Sequence, residues 1–230
     1  MSAQPDDQSD IEADRTSGWD LRRQRLTDEF EAIAVQLMAQ RGYDNVSYDD
    51  VAEAAGVSRR TVYRYFPTKE DFLLAYPRRT VHTVQRALDQ MTPTRYPIDS
   101  FIEAMIVLVE GGDQETRDHV VLWHRAIASA PDVESRSHGE QLLALERMVL
   151  PLCADALDAD PDDVGVRTVA ATIAAVNQSV VTEWVASDGT SDLPTLYRHA
   201  VTSLRRSLRQ LGVANPSPSK STTRGRAARG

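Results

Sequence analysis

Residues Ser47 to Phe66, SYDDVAEAAGVSRRTVYRYF, read as two short helices joined by a tight turn. Ser47 is a helix cap, with Asp50 three residues on as a capping-box partner in place of the usual Glu or Gln. Val51, Ala52 and Ala55 then recur at helical spacing, and Ala52 is small where a crossing helix must come close. Gly56 tolerates the left-handed stop that such a helix needs. Ser58 caps the second helix, on which Val62 and Phe66, four apart, share the buried side. At about 100° per residue, Arg60, Thr61 and Arg64 point away from that side, and Arg59 with Tyr63 lie on one flank. A cationic and aromatic face of this kind suits a DNA major groove, where arginine pairs bidentately with guanine and hydroxyls meet phosphates. The competing reading is an ordinary amphipathic hairpin with a solvated arginine face.

The next residues, PTKEDF, favour DNA. Pro67 ends the second helix, Thr68 caps a third with Asp71 three residues later, and Lys69 falls in its first turn. A cation there opposes the positive end of the helix dipole, and a phosphate lying across that end removes the conflict.

Upstream, Phe30, Ile33, Ala34, Leu37 and Met38 make an amphipathic stripe. The whole segment from Leu26 to Leu74, LTDEFEAIAVQLMAQRGYDNVSYDDVAEAAGVSRRTVYRYFPTKEDFLL, resembles the N-terminal domain of TetR-family transcriptional regulators. The resemblance rests on the first helix ending in RGYDNVS, the AxxAGVS turn, the TVYRYF recognition helix and the P-T-K-E-D start of the next helix. It implies that Arg59, Arg60 and Thr61 read base edges, while Ser47, Tyr48, Ser58, Tyr63, Arg64, Tyr65 and Lys69 hold phosphates. Two departures stand out. Many members carry a small residue where this chain has Arg60, and Pro77 interrupts what is a long fourth helix in the family; a kink or break is expected near Tyr76.

The net charge of −8 over 230 residues is unusual for a DNA-binding chain, and its distribution explains it. Residues 1–18 have five acids against one arginine, residues 19–81 have ten of each sign, residues 82–211 have nineteen acids against eleven bases, and the last nineteen residues carry four bases and no acid. Acid therefore lies outside the DNA-binding segment, leaving the recognition helix its three arginines.

The expected organisation is all-α: a disordered acidic N-terminus at 1–18, a three-helix helix-turn-helix domain at 19–81, a larger helical domain at 82–211, and a disordered basic tail at 212–230. WDLRRQR, from Trp19 to Arg25, is either a basic arm that tracks phosphates or solvated surface. Helices are expected over 98–110, 113–130, 141–158 and from about Asp162, with a loop at 92–97, a stop at Gly111 and Gly112, a polar segment to His138 and a kink at Pro151. Two last helices carry long apolar stripes, one through Val166, Ile173, Asn177 and Trp184, the other through Leu193, Tyr197, Leu204 and Leu211. They close the monomer core or, as the resemblance implies, form a four-helix bundle with a second copy, giving the homodimer that a palindromic operator requires.

The resemblance also implies a small-molecule effector bound within 82–211. Met105, Trp123, His124, Met148, Asn177 and Gln178 are the candidates, each with core packing as the alternative. RRTVYRYF is similar to the wording in family members that sense acyl-thioester-like ligands, so an apolar or acyl-thioester-like effector is expected. Nothing marks an enzyme. His119 and His124 are five apart and miss the spacing of a helical zinc pair, no GxSxG or phosphate loop occurs, and Cys153, the single cysteine, has no histidine nearby. Leu150, Leu152 and Leu157 around Cys153 suggest a buried core thiol. No metal or cofactor is expected, nor a membrane span, since no run approaches about 18 apolar residues, and no signal peptide is visible. The resulting expectation is a cytoplasmic, ligand-responsive repressor that releases its operator when the effector binds; the alternative is a helical interaction protein without sequence-specific DNA binding.

Overall fold

Helical capping organises the N-terminal region. Ser47 accepts the Asp50 N–H while the Asp50 carboxylate accepts the Ser47 N–H, a complete capping box at the start of α2 (Tyr48–Ala54). Gly56 turns the chain at φ +66°, and Ser58 accepts the Thr61 N–H to start α3 (Arg59–Tyr65). Val62 and Phe66 are buried beneath it.

The structure, a computed structural model, describes residues 7–91, 96–110 and 114–210, with side chains from residue 20 onward except at 109 and 110. The expected basic tail, most of the 92–97 loop and the glycine stop at 111–112 lie outside the described residues. Among the described residues there are nine α-helices, one 3-10 turn at Tyr43–Asn45 and no strand, as the all-α expectation requires. The other helices are α1 (Asp7–Arg41), α4 (Asp71–Gln90), α5 (Pro97–Glu110), α6 (Gln114–Ala128), α7 (Pro131–Leu157), α8 (Val164–Ala186) and α9 (Leu193–Gln210).

Four details depart from expectation. Helix α1 begins inside the acidic stretch expected to be disordered; Asp7, Asp10, Glu12 and Asp14 fall in its first turns, where carboxylates favour the positive end of a helix. Thr68 and Asp71 do pair, Asp71 accepting both the N–H and the hydroxyl of Thr68, but the helix proper starts at Asp71, so Lys69 precedes it. Helix α7 runs from Pro131, which occupies its first turn, and so takes in the polar segment to His138 that was expected to precede a helix starting at 141.

The fourth departure is Pro77. Instead of breaking α4 it lies within it, buried. Proline supplies no N–H to the carbonyl four residues earlier and crowds it, which ordinarily costs about 3 kcal/mol. That carbonyl belongs to Leu73, and the indole Nε1–H of Trp123 on α6 donates to it at 2.8 Å. A side chain from another helix thus supplies the missing bond.

Two buried apolar clusters hold the molecule. The first joins Phe30, Val35 and Met38 of α1 to Val51, Val62 and Phe72, and takes in Trp123, Ala126 and Ile127 of α6 with Ala130 and Val133. The second gathers Val84, Phe101, Met105, Val149, Cys153, Ile173, Trp184 and Tyr197 from α4, α5 and α7–α9. The boundary expected at 81/82 falls inside α4, which contributes to both clusters. By length and mean composition α8 alone among the described helices is apolar enough to cross a membrane, although Arg167, Asn177, Gln178 and Glu183 interrupt its apolar run as expected; it packs against α7 and α9.

Candidate nucleic-acid interface and ligand cavity

The ten residues expected to meet DNA separate into two groups. Arg59, Arg60, Thr61, Tyr63 and Arg64 border one shallow concavity on α3, with Ser58 exposed at its cap. Arg59 pairs with Asp49 of α2 at 3.2 Å, and the Arg64 guanidinium lies over the Tyr65 ring, 5.2 Å from its centroid. Among the described residues Arg60 has no such partner, so it reaches solvent with its full set of donors.

The other four are otherwise engaged. The Tyr48 hydroxyl donates to the Phe66 carbonyl oxygen at 2.9 Å, and burial, followed by neighbouring Tyr63, pushes its pKa up to about 12. Ser47 donates both its N–H and its hydroxyl to Asp50. Tyr65 turns its ring edge-on to Phe30, 5.4 Å between centroids, and packs against the first core cluster. Lys69 places Nζ 4.3 Å from the centroid of the Tyr43 ring; partial burial lowers its pKa, while Asp44 and Asp50 pull the other way. The ring steadies the ammonium beside the start of α4. The Ser47–Asp50 pair was legible from spacing; the other three engagements were not, because each depends on a partner from another element.

Behind this domain lies a cavity of about 700 Å³. Five of the six expected ligand residues line it: Met105, Trp123, His124, Asn177 and Gln178. Met148 does not; it is buried in the second core cluster. Arg125, next to His124, points outward and pairs with Asp188 at 2.5 Å. Sequence reasoning missed the share of the wall supplied by the N-terminal region: Asp28 and Glu31 of α1, and Tyr76, Pro77, Arg79 and Thr80 of α4.

Glu31 is the most constrained of these. Only 1% exposed, it accepts from Arg79 Nη2 at 3.1 Å and lies 3.1 Å from His119 Nε2, while Arg79 Nη1 donates to Asp28 at 2.7 Å. One buried carboxylate thereby ties α1 to α4 and α6. A polar residue on an otherwise apolar face of α1 is the signal that identifies it, since a buried charge requires partners.

The interior of the cavity has two polar stations. His124 packs edge-on to Trp123, and burial lowers its pKa to about 4, so it is neutral at pH 7. Neither of its ring nitrogens has a hydrogen-bond partner among the described residues. Asn177, 6% exposed, accepts from the Tyr197 hydroxyl at 2.5 Å. Among the described residues no group of three or more His, Cys, Asp or Glu side chains is placed to hold a metal ion. Cys153 is fully buried, and burial raises its pKa to about 11.

Comparison with known proteins places these features in context. Residues 32–76 match bacterial regulatory proteins of the tetR family, and residues 95–209 match the MftR C-terminal domain. The chain is 25% identical over 170 residues to a protein of Mycobacterium tuberculosis named for transcriptional regulation of mycofactocin biosynthesis, MftR, covering 74% of this chain and 85% of that one. It is 39% identical over 74 residues to the helix-turn-helix transcriptional regulator EthR of the same species, a match confined to 32% of this chain and 33% of that one. Among solved structures, the TetR-family repressor FadR of Thermus thermophilus, in complex with lauroyl-CoA, is similar in fold with a TM-score of 0.52 at 20% identity, covering 84% of this chain and 98% of that one.

Proposed function

The chain belongs to the TetR family of transcriptional regulators, and from that premise we propose that it is a cytoplasmic homodimer that represses transcription by holding a palindromic operator and releases it when a small molecule enters the cavity. On α3, Arg59, Arg60 and Thr61 read base edges, while Ser58, Tyr63 and Arg64 hold phosphates. Tyr48 supports the recognition helix through Tyr63 and the Phe66 carbonyl, Tyr65 anchors that helix to Phe30, and Ser47 and Lys69 hold phosphates at its flank. Two copies joined through α8 and α9 set the recognition helices one helical turn of DNA apart, about 34 to 36 Å.

The observation that carries this reading is the composition of the cavity wall. Asp28 and Glu31 belong to α1, Tyr76, Pro77 and Arg79 to α4, and His119 and Trp123 to α6, so an occupant touches the helices that carry α3 as well as those behind them. A molecule that fits one arrangement of these helices better than another shifts the balance between them, and operator affinity follows. The effector is an apolar, chain-bearing molecule, for which an acyl thioester is the first candidate; the lauroyl-CoA bound by the Thermus FadR protein is of this type.

Selection of the purified protein on random duplex DNA at low salt tests the proposal, repeated with acyl thioesters and other apolar metabolites. Enrichment of a palindrome, lost when one of these compounds is added, is the expected result. No enrichment of any sequence overturns the regulator reading in favour of a helical interaction protein. Enrichment that survives every compound leaves DNA binding intact and removes ligand control.

A further inference from the structure

The Tyr197 hydroxyl, on a side chain only 1% exposed, has one partner, Asn177 Oδ1 at 2.5 Å. A buried hydroxyl proton requires an acceptor, and the amide oxygen is the acceptor within reach. That bond fixes which way the Asn177 amide faces: its oxygen toward Tyr197, its NH2 group away. Among the described residues Asn177 Nδ2 has no partner, and Asn177 lines the cavity while itself nine-tenths buried. This donor opens onto the cavity, where an acceptor on an occupant meets it. Apolar side chains surround the same space, among them Met105, Leu108, Trp184 and Leu193.

Five carboxylates line the cavity, with Glu29, Glu115 and Glu134 exposed at its rim and Asp28 and Glu31 deeper, beside the arginines Arg79 and Arg117 and the histidines His119 and His138. Arg79 is already shared between Asp28 and Glu31. His124, the other polar group on the wall beside Trp123, adds no positive charge at pH 7. An anionic group carried inward passes the acidic rim and loses its hydration at Asn177, where no cation is paired with it. An uncharged carbonyl meets neither penalty.

We propose that Asn177, oriented by Tyr197, is the recognition point for an uncharged carbonyl oxygen on an apolar chain, and that the site discriminates against the corresponding free carboxylate. The chemistry is shared by thioesters, simple esters and amides, so it covers both a carrier-bound acyl group and a free neutral lipid. The inference rests on the cavity being the effector site and adds to it the part of the effector that is read.

Calorimetric titration of the full chain with matched twelve-carbon probes tests this: methyl laurate, laurate, and lauroyl-CoA at constant pH. Methyl laurate should bind at least roughly tenfold more tightly than laurate. The double variant Asn177→Leu/Tyr197→Phe removes both partners together and leaves neither unpaired; it should lose roughly fivefold to tenfold in affinity for methyl laurate with little change for laurate. The single variant Tyr197→Phe frees the amide to turn and should narrow the preference without abolishing it, while thermal unfolding confirms that each variant is folded. Binding of lauroyl-CoA weakened by the double variant in the same proportion assigns the carrier-bound acyl group to the same point; binding of methyl laurate alone assigns a free neutral lipid. Laurate binding as tightly as the ester, or ester binding undiminished in the folded double variant, overturns the inference while leaving the cavity a ligand site. Binding of none of the probes to the wild-type chain overturns both.

Discussion

Trp123 on α6 and Leu73 on α4 are joined by a hydrogen bond of 2.8 Å, and the carbonyl that accepts it is the one Pro77 cannot serve. Both side chains are buried, at 3% and 0% exposure. Trp123 and Pro77 also line the cavity, which puts this bond within reach of whatever occupies it.

Replacing Trp123 by Phe should cost about 1–3 kcal/mol in urea unfolding, because a buried carbonyl loses its donor. Restoring an N–H through Pro77→Ala in that background should return part of the loss, since the backbone can then close its own bond. A double-mutant cycle with a coupling of about 1 kcal/mol or more is expected. Strictly additive losses would show that the indole and the proline act independently.

His124 makes stability depend on pH. Burial lowers its pKa from 6.5 to about 4 in the folded chain, so between those values the unfolded chain binds more protons. Stability is therefore present above pH 6.5, falls as the pH drops through this window, and levels off below about 4, with a total of at most about 3 kcal/mol. His124→Phe should flatten the profile over this range in chemical unfolding measured at several pH values. An unchanged slope would place the dependence on other groups.

The arginines of α3 should separate by role. Arg60→Ala should cost about 1–3 kcal/mol on the selected operator and relax preference at one base position. Arg64→Ala should weaken binding on all sequences alike and reduce the salt slope by about one. Fluorescence anisotropy over a salt series on matched and mismatched duplexes distinguishes them. If both variants lose affinity equally on every duplex, the assignment of Arg60 to base edges fails.

Glu31→Leu should be costly even though it trades a charge for an apolar group. It leaves the Arg79 guanidinium with Asp28 alone and strips His119 of its carboxylate, and breaking one member of a buried charged group costs about 3–5 kcal/mol. Glu31→Leu combined with Arg79→Met should be more stable than the sum of the two losses predicts. Thermal or urea unfolding of the four proteins in the cycle measures this.

Cys153 should resist thiol reagents at pH 8 in the folded chain, being fully buried with its pKa raised to about 11 by burial. Labelling that appears only in denaturant is expected. Rapid labelling of the native protein would reveal an opening of the second core cluster.

Local rules made much of the molecule legible. The capping of α2 by Ser47 and of α3 by Ser58, the stop at Gly56 and the burial of Val62 and Phe66 follow from short-range chemistry, and all are present. Interruptions were harder to read. Pro77 predicts a kink or break near Tyr76, and the donor that lets α4 continue comes from a tryptophan far along the chain. The cavity was half legible: His124 and Asn177 stood out as polar residues on apolar stripes, whereas the part of the wall from α1 and α4 depends on tertiary placement. Tyr48 and Tyr65 illustrate the same limit, since an aromatic residue on a short helix faces core or solvent according to neighbours that spacing alone does not specify.

The first core cluster counts Trp123, Ala126, Ile127, Ala130 and Val133 among its members, and the Tyr43 N–H donates to Ser129 Oγ at 2.8 Å. As material for chimaeras, residues 19–81 are therefore an incomplete part. Grafted onto the body of a relative, they would face a foreign α6 across a seam shaped for this one, with the Leu73 carbonyl stranded and the Glu31 carboxylate left to Arg79 without His119. A head transplanted between members of this family keeps its operator preference only if the strip of α6 that seals it travels too.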